Sequence, residues 1–533
     1  MRAPPARRPR RSRPLLPPGV VVSVPLSVLI FLPLAAGLVG AVAPRGWARW
    51  VVLAGTVGVL GLAIWILADF SLGSRGLHNV TNTQWIPELG IRYSLGVDGL
   101  NLFLIALTAL LWVPATLAAA LREWDRPRLF FFQMALAETA VLGAFCAQDL
   151  ALFVFFFDLM LVPFYFLIGS WGGRQRVRAT TKLVIYTLVG SLLMLAGAVA
   201  LGVLSTPHGG HVSFSLAVLS HRILHKGTQE WIFLLFAAAF LVKAPAFPFH
   251  GWMPDAYRAA PIPVLVVFSA VLSKVGMYGF LRIVLPLLPQ AAQHYQTLMI
   301  VIAVVSILYG SALAFSQDDA RLVVGYSSVA QLGFILLGIF ALDLEGKGAQ
   351  GAVLQMVNHG LVVAPLFLII WALAARTGGS ESLSRMGGVA FRAPVLAGLF
   401  LIVALATLAM PGSANFVGEL LILFGALSTK LAFGLVAGGG VVLSAVYMIR
   451  LYQRSMHNRV GGGVESRDLT RVELATIAPL VAVILALGFY PHFIVRRTEA
   501  ATVSRVFRAA ALAHYGSRPI PVSALTHGRG EAP

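Results

Sequence analysis

Apolar runs of about 20 residues recur fourteen times along this chain, the first centred near residue 31 and the last near residue 483, each long enough to cross a bilayer as a helix. Polar residues gather in short connections between the runs. The pattern predicts an all-α polytopic membrane protein with about 14 transmembrane helices and no soluble catalytic domain. Two runs are interrupted. The seventh reads LVKAPAFPFHGWMPDA, with Pro245 and Pro248, and the twelfth reads LATLAMPGSANFVGE, with Pro411 and Gly412. Pro245 and Pro248 lack the donors that would reach the carbonyls of Leu241 and Ala244, which in a membrane is tolerable only beside a cavity or buried partners. The broken helices stand five spans apart, as expected of two inverted five-helix repeats: helices 4–8 over residues 128–290 and helices 9–13 over 291–458. An odd number of spans per copy inverts the second. Around them lie an Arg/Pro-rich tail (1–19), helices 1–3 (20–127), a loop and helix 14 (459–495) and a basic C-terminal tail (496–533).

Charge inside these spans is the next signal. Glu138 lies in the fourth, Asp158 in the fifth, and Lys182 opens the sixth; Lys243 precedes the first break, with His250 and Asp255 just after it. Lys274 lies in the eighth span, Arg321 and Gln331 in the tenth, His359 in the eleventh and Glu419 in the twelfth. A charge at the bilayer midplane costs roughly 2.5–3.5 kcal/mol even on the lenient insertion scale, so such residues mark ion or proton paths by default. The plainer reading, a polar group bonded to a neighbouring helix, suits one residue better than a series. Asp158 and Lys243 are expected to pair, and Lys274 to sit near the junction of the two repeats.

Composition narrows the class. The chain is 58% hydrophobic and 11% charged, with mean hydropathy +0.84, far from soluble domains. Its net charge of +19 resides in loops and tails, where topology and lipid headgroups explain it better than nucleic acid does. Basic residues concentrate after odd-numbered spans, which places those loops in the cytoplasm and both termini outside; the arginines of the tail pull the other way. The single cysteine, Cys146, rules out an intrachain disulfide and any four-cysteine cluster. His208, His211, His221 and His225 lie between spans six and seven without cysteine or carboxylate support, so they read as an amphipathic surface element and no metal is expected. His250 and His359 are too few for two stacked haems, and GKGAQG, which follows no strand, is a chance match to a dinucleotide motif.

Several motifs in order, GVDGLNLFLIALT, FVFFFDLMLVPFYFLIGSWGG, TKLVIYTLVGS, LVKAPAFPFHGWMPDA, LSKVGMYGFLRI, YSSVAQLGF, GAVLQMVNHG and NFVGE, resemble the M-type antiporter-like membrane subunits of respiratory complex I over about residues 90–500. The resemblance implies proton translocation in a bacterial inner membrane, driven by quinone reduction elsewhere. It implies no cofactor in this chain, with flavin, iron–sulfur clusters and quinone in partner subunits, and L- and N-type chains as neighbours. Asp158 and Lys243 match the family's carboxylate–lysine pair, Lys274 its central relay, and His359 and Glu419 its outward route. Departures are Asp158 for the usual glutamate, Gln331 for a histidine, Tyr257 and Ala259 in PDAYRAAP, and Leu322 after Arg321. Related alternatives are a subunit of a multisubunit cation/proton antiporter or membrane-bound hydrogenase, and a structural subunit whose channel has decayed.

Overall fold

The computed structural model describes residues 25–44, 46–73, 76–222, 224–459, 464–465 and 467–516; the tail expected over 1–19 lies outside them. The larger helices, leaving out single turns, begin with α1 (Leu26–Val42) and α2 (Ala48–Asp69). A hairpin follows, β1 (His78–Ile86) with β2 (Ile91–Val97), then α3 (Leu102–Ala120), α4 (Pro127–Cys146), α5 (Leu150–Leu159), α6 (Leu161–Trp171) and α7 (Arg176–Leu204). The first break separates α8 (Lys226–Lys243) from α9 (Met253–Ala259), and α10 spans Ile262–Leu287. Next come α11 (Gln296–Ser316), α12 (Ala320–Ala341), α13 (Lys347–Arg376), α14 (Pro394–Thr407), α15 (Ala414–Thr429), α16 (Leu431–Met456), α17 (Arg471–Phe489) and α18 (His492–Tyr515).

Among the described residues, eleven helices are long and apolar enough to cross a membrane, with α5 and α6 counted together, and α1, α14 and α15 are shorter apolar helices. Burial sorts them. α10 is wholly enclosed and α12 and α13 almost so, whereas α2, α16 and α17 show most of their surface to the outside. Lys274, Gln331 and His359 sit on the enclosed helices, where they can face other helices rather than lipid.

Each interruption has a local cause. The α5/α6 junction falls at Met160, three residues before Pro163, whose missing N–H cannot serve the Leu159 carbonyl. After Lys243 the chain leaves the helix, and the Leu241 carbonyl expected to be free accepts instead from Ala246 N–H. Trp252 Nε1 takes the next carbonyl, Val242, at 2.9 Å. Within α10, π-helical turns at Phe268–Leu272 and Phe280–Val284 flank the α-helical segment Ser273–Gly279 that carries Lys274. Such turns are frequent at functional sites.

Two elements were not foreseen. The hairpin pairs Thr83 with Tyr93 and Gln84 with Arg92, in a stretch too rich in Asn, Gln and Thr to stand out against the apolar runs. Gly90 turns it at φ +68°, where a Cβ would collide with the Val212 carbonyl. The other is α18, His492–Tyr515, which takes up the first part of the stretch 496–533 where a basic tail was expected. Ile494, Ala501, Val506 and Ala510 recur at helical spacing and bury one face against α10 and α13, while Arg496 and Arg508 are exposed on the other. The histidine-bearing connection forms one short turn, Leu216–Leu219, and His221 and His225 share no helix.

Candidate functional site

Lys243 ends α8 and is 3% exposed. Its Nζ donates to the Phe157 carbonyl at 3.3 Å and lies 4.5 Å from the centre of the Phe157 ring. The expected pairing with Asp158 is therefore not a direct ion pair; the two act on each other through their fields, and Asp158 stands beside Ser191. The cause is the end of α5, where last-turn carbonyls lack helical donors and offer Lys243 a partner one residue short of the carboxylate. One Asp158 oxygen is buried without a hydrogen-bond partner among the described residues.

Lys274 is fully enclosed, and its Nζ donates to the Ser269 carbonyl at 3.1 Å, inside the first π-turn. The π register leaves that carbonyl able to accept from outside the helical ladder, and Ser273 Oγ donates to it as well, at 3.1 Å. Two glycines bring α10 to its neighbours. A Cβ on Gly276 would stand 2.6 Å from the Phe240 carbonyl of α8, and one on Gly360 would stand 2.8 Å from the Ala270 carbonyl, so α13 runs against the π-turn. His359 arrives on α13, within electrostatic reach of Lys274, and both of its ring nitrogens are buried without partners among the described residues.

One turn before His359 on the same helix, Gln355 Nε2 donates to Gln331 Oε1 at 2.7 Å and to Glu419 Oε1 at 3.3 Å. Gln331 Nε2 donates to the same Glu419 oxygen at 2.8 Å, and Glu419 Oε2 has no partner among the described residues. Glu419 is 2% exposed on α15, just past the break that Pro411 and Gly412 make. Gly412 has φ +87°, a conformation glycine adopts at no steric cost. The groups are thus carried by α5, α8, α10, α13 and α15.

The supporting residues divide. Lys182 and Asp255 form an ion pair at 2.9 Å beside His250, which stacks among Phe247, Tyr309 and Tyr326. Arg321 is committed elsewhere: it holds Glu381 at 2.7 and 2.5 Å and donates to the carbonyls of Tyr257, Arg258 and Ala260, latching α12 to the end of α9. Tyr257 is buried between Phe268 and Phe367 and fills space as an aromatic. Glu138 is fully buried in α4, and neither carboxylate oxygen has a partner among the described residues.

Sequence reasoning missed Arg282. Two turns beyond Lys274, it grips Asp98 in bidentate fashion at 2.7 and 2.7 Å and donates to Tyr278 Oη at 2.7 Å. Burial pushes the Asp98 carboxyl upward, but the Arg282 guanidinium overrides it, with Arg505 of α18 adding to the effect, and holds it at about 2. An arginine in an apolar span was the available signal; its partner, 184 residues away, left none.

A family described as NADH:quinone oxidoreductase/Mrp antiporter, TM, matches residues 147–445. NADH-quinone oxidoreductase subunit M of Rhodobacter capsulatus is 38% identical over 485 residues, covering 88% of this chain and 94% of that protein. The subunit of the same name from Mycobacterium tuberculosis is 37% identical over 508 residues, covering 87% and 91%. A chain of respiratory complex I from Thermus thermophilus with bound NADH superposes with TM-score 0.83 at 29% identity, covering 91% of this chain and 99% of that one.

Proposed function

This chain belongs to the NADH:quinone oxidoreductase/Mrp antiporter transmembrane family, among the M-type membrane subunits of complex I, and from that premise we propose that it carries protons across a bacterial inner membrane. The path runs through Asp158, Lys243, Lys274, His359 and Glu419. The observation that supports it most is the setting of Lys274: a wholly enclosed amine bonded to a carbonyl oxygen, with a neighbouring histidine whose ring nitrogens have no partner among the described residues. Buried polar groups left without partners call for water or a mobile proton.

Charge displaced by quinone reduction in a partner subunit first alters the balance at Lys243, which can stay on the Phe157 carbonyl or swing toward Asp158. That movement changes the field at Lys274, which takes up or releases a proton, as a lysine in an apolar enclosure is suited to do. His359 receives the proton and passes it toward Glu419. Gln331 and Gln355 orient that carboxylate, and neither can change charge, so titration rests on His359 and Glu419. Each proton moved outward works against roughly 2.3 kcal/mol per 100 mV. Iron–sulfur clusters fall to partner subunits, since one cysteine does not supply the four thiolates a cluster takes; flavin and quinone go with them in this reading, and L- and N-type chains adjoin this one in the membrane.

Replacing Lys274 with Ala in the purified, vesicle-reconstituted complex is expected to lower the ratio of protons pumped to electrons transferred while subunit composition stays intact. A normal ratio would remove Lys274 from the path. Sodium-dependent proton exchange without an electron donor would favour an antiporter instead.

A further inference from the structure

The end of α16 carries a basic cluster that the proton path does not use. Arg450, Arg454 and His457 fall at helical spacing on one face and, with Gln453, Asn458 and the ring of Phe315, line a cavity of about 560 Å³. Arg450 is partly engaged: it donates to the carbonyls of Phe315 and Gln317, and its guanidinium lies 5.0 Å from the centre of the Phe315 ring. Arg454 is close enough to repel it. Asp318 is the carboxylate that acts on Arg450, and its oxygen accepts from the hydroxyls of Ser382 and Ser384. Among the described residues, no carboxylate forms an ion pair with Arg454 or His457.

An apolar groove of about 220 Å³ continues from this cavity, sharing Gln453 and His457 and running between α14 and α16 past Leu401, Leu405, Leu408 and Ile449. From His457 to Ile449 the helix advances roughly 12 Å toward the membrane interior. The mouth lies at the bilayer surface: the chain beside it, Gly388 to Ala390, bonds to His457 and Met456, and the next residue, Phe391, is 92% exposed, as an interfacial anchor would be. This is the side on which the loop arginines gather.

We propose that this cavity and groove bind one acidic phospholipid, its phosphodiester held by Arg454 and His457 with Gln453 and Asn458 as further donors, and one acyl chain laid along Leu401 to Ile449. Charge decides for lipid over a neighbouring protein helix: the cavity is lined by cations and by no carboxylate, Asp318 acts on Arg450 and leaves Arg454 and His457 in excess, and the groove behind it is apolar. Basic pockets at this level of a membrane protein suit anionic headgroups.

The test uses the intact complex, stripped of lipid in detergent and titrated with phosphatidylglycerol or with phosphatidylcholine of the same chains, bound lipid being counted by native mass spectrometry. Wild type should retain one phosphatidylglycerol and no phosphatidylcholine at this site. The double variant Arg454→Gln, His457→Gln should weaken phosphatidylglycerol retention at least about fivefold. Leu401→Trp, which fills the groove and leaves the cations alone, should weaken it too and keeps the proposal testable if the double variant fails to assemble. Equal retention in these variants, or equal retention of phosphatidylcholine, would overturn the proposal. So would displacement by inorganic phosphate alone, which would make this a free-anion site, or cross-linking of position 401 to a partner subunit instead of lipid.

Discussion

Asp98 and Arg282 form the most tightly specified contact among the charged residues, and both are almost completely buried. Removing one member of a buried pair strands the other, at a cost of about 3–5 kcal/mol, whereas replacing both with apolar residues of similar volume is often tolerated. Asp98→Asn should therefore lower the thermal unfolding midpoint of the purified complex far more than Asp98→Leu combined with Arg282→Met. Because the carboxyl is held at about 2, its stabilisation is present above the unfolded value of about 3.9 and is lost only as pH falls through the folded one. Between pH 5 and 9 the Asp98→Asn penalty should be constant, which unfolding at several pH values would show. Gln331 offers a second comparison. It donates 2.8 Å to Glu419, so Gln331→Leu removes a donor from a buried carboxylate without changing charge. Slower proton delivery at unchanged quinone reduction is expected, read in vesicles with a pH-sensitive dye, and an unaltered proton rate would separate Gln331 from the path.

At the scale of elements, the path depends on how closely α10 approaches its neighbours. The 2.6 Å between an added Cβ on Gly276 and the Phe240 carbonyl leaves no room for a methyl group, and the opposing atom is backbone. Gly276→Ala should push α10 from α8 and cost about 1–3 kcal/mol, as overpacking usually does. The displacement also separates the Lys243 region from Lys274, so proton pumping should fall more than electron transfer does. Equal losses in both would reduce Gly276 to a packing role. The π-turns fit the same logic. By shifting register within one helix they leave Ser269's carbonyl to Lys274 without cutting the span in two, unlike the open breaks after Lys243 and before Glu419.

For the whole molecule, α18 ties distant parts together. It lies against α10 and α13, and Arg505 reaches Asp98 at 3.5 Å, so the last described helix touches the loop that follows the hairpin. Truncation before His492 should expose the apolar face of α10 and α13 and loosen Asp98. A lower unfolding midpoint is expected, together with faster hydrogen exchange in residues 91–101 than elsewhere; exchange rising uniformly would mean that the helix only adds bulk stability. Much of this architecture was legible along the chain. Apolar runs, the lysines inside them and the Pro/Gly interruptions are local patterns, each created by neighbours within a turn or two and by the cost of leaving backbone groups unpaired in a membrane. Lys243, Lys274, His359 and Glu419 could be singled out for the same reason: a polar group within an apolar run is visible without its partners. Which partner each would meet was not. Lys243 settled on a carbonyl rather than on Asp158, Arg321 was taken by Glu381, and Arg282 found Asp98 184 residues away, because these choices depend on where helix ends and close approaches bring donors together. The hairpin and α18 escaped for a related reason. Their apolar faces are narrow and half polar, and they become recognisable as elements only against the surface that buries them.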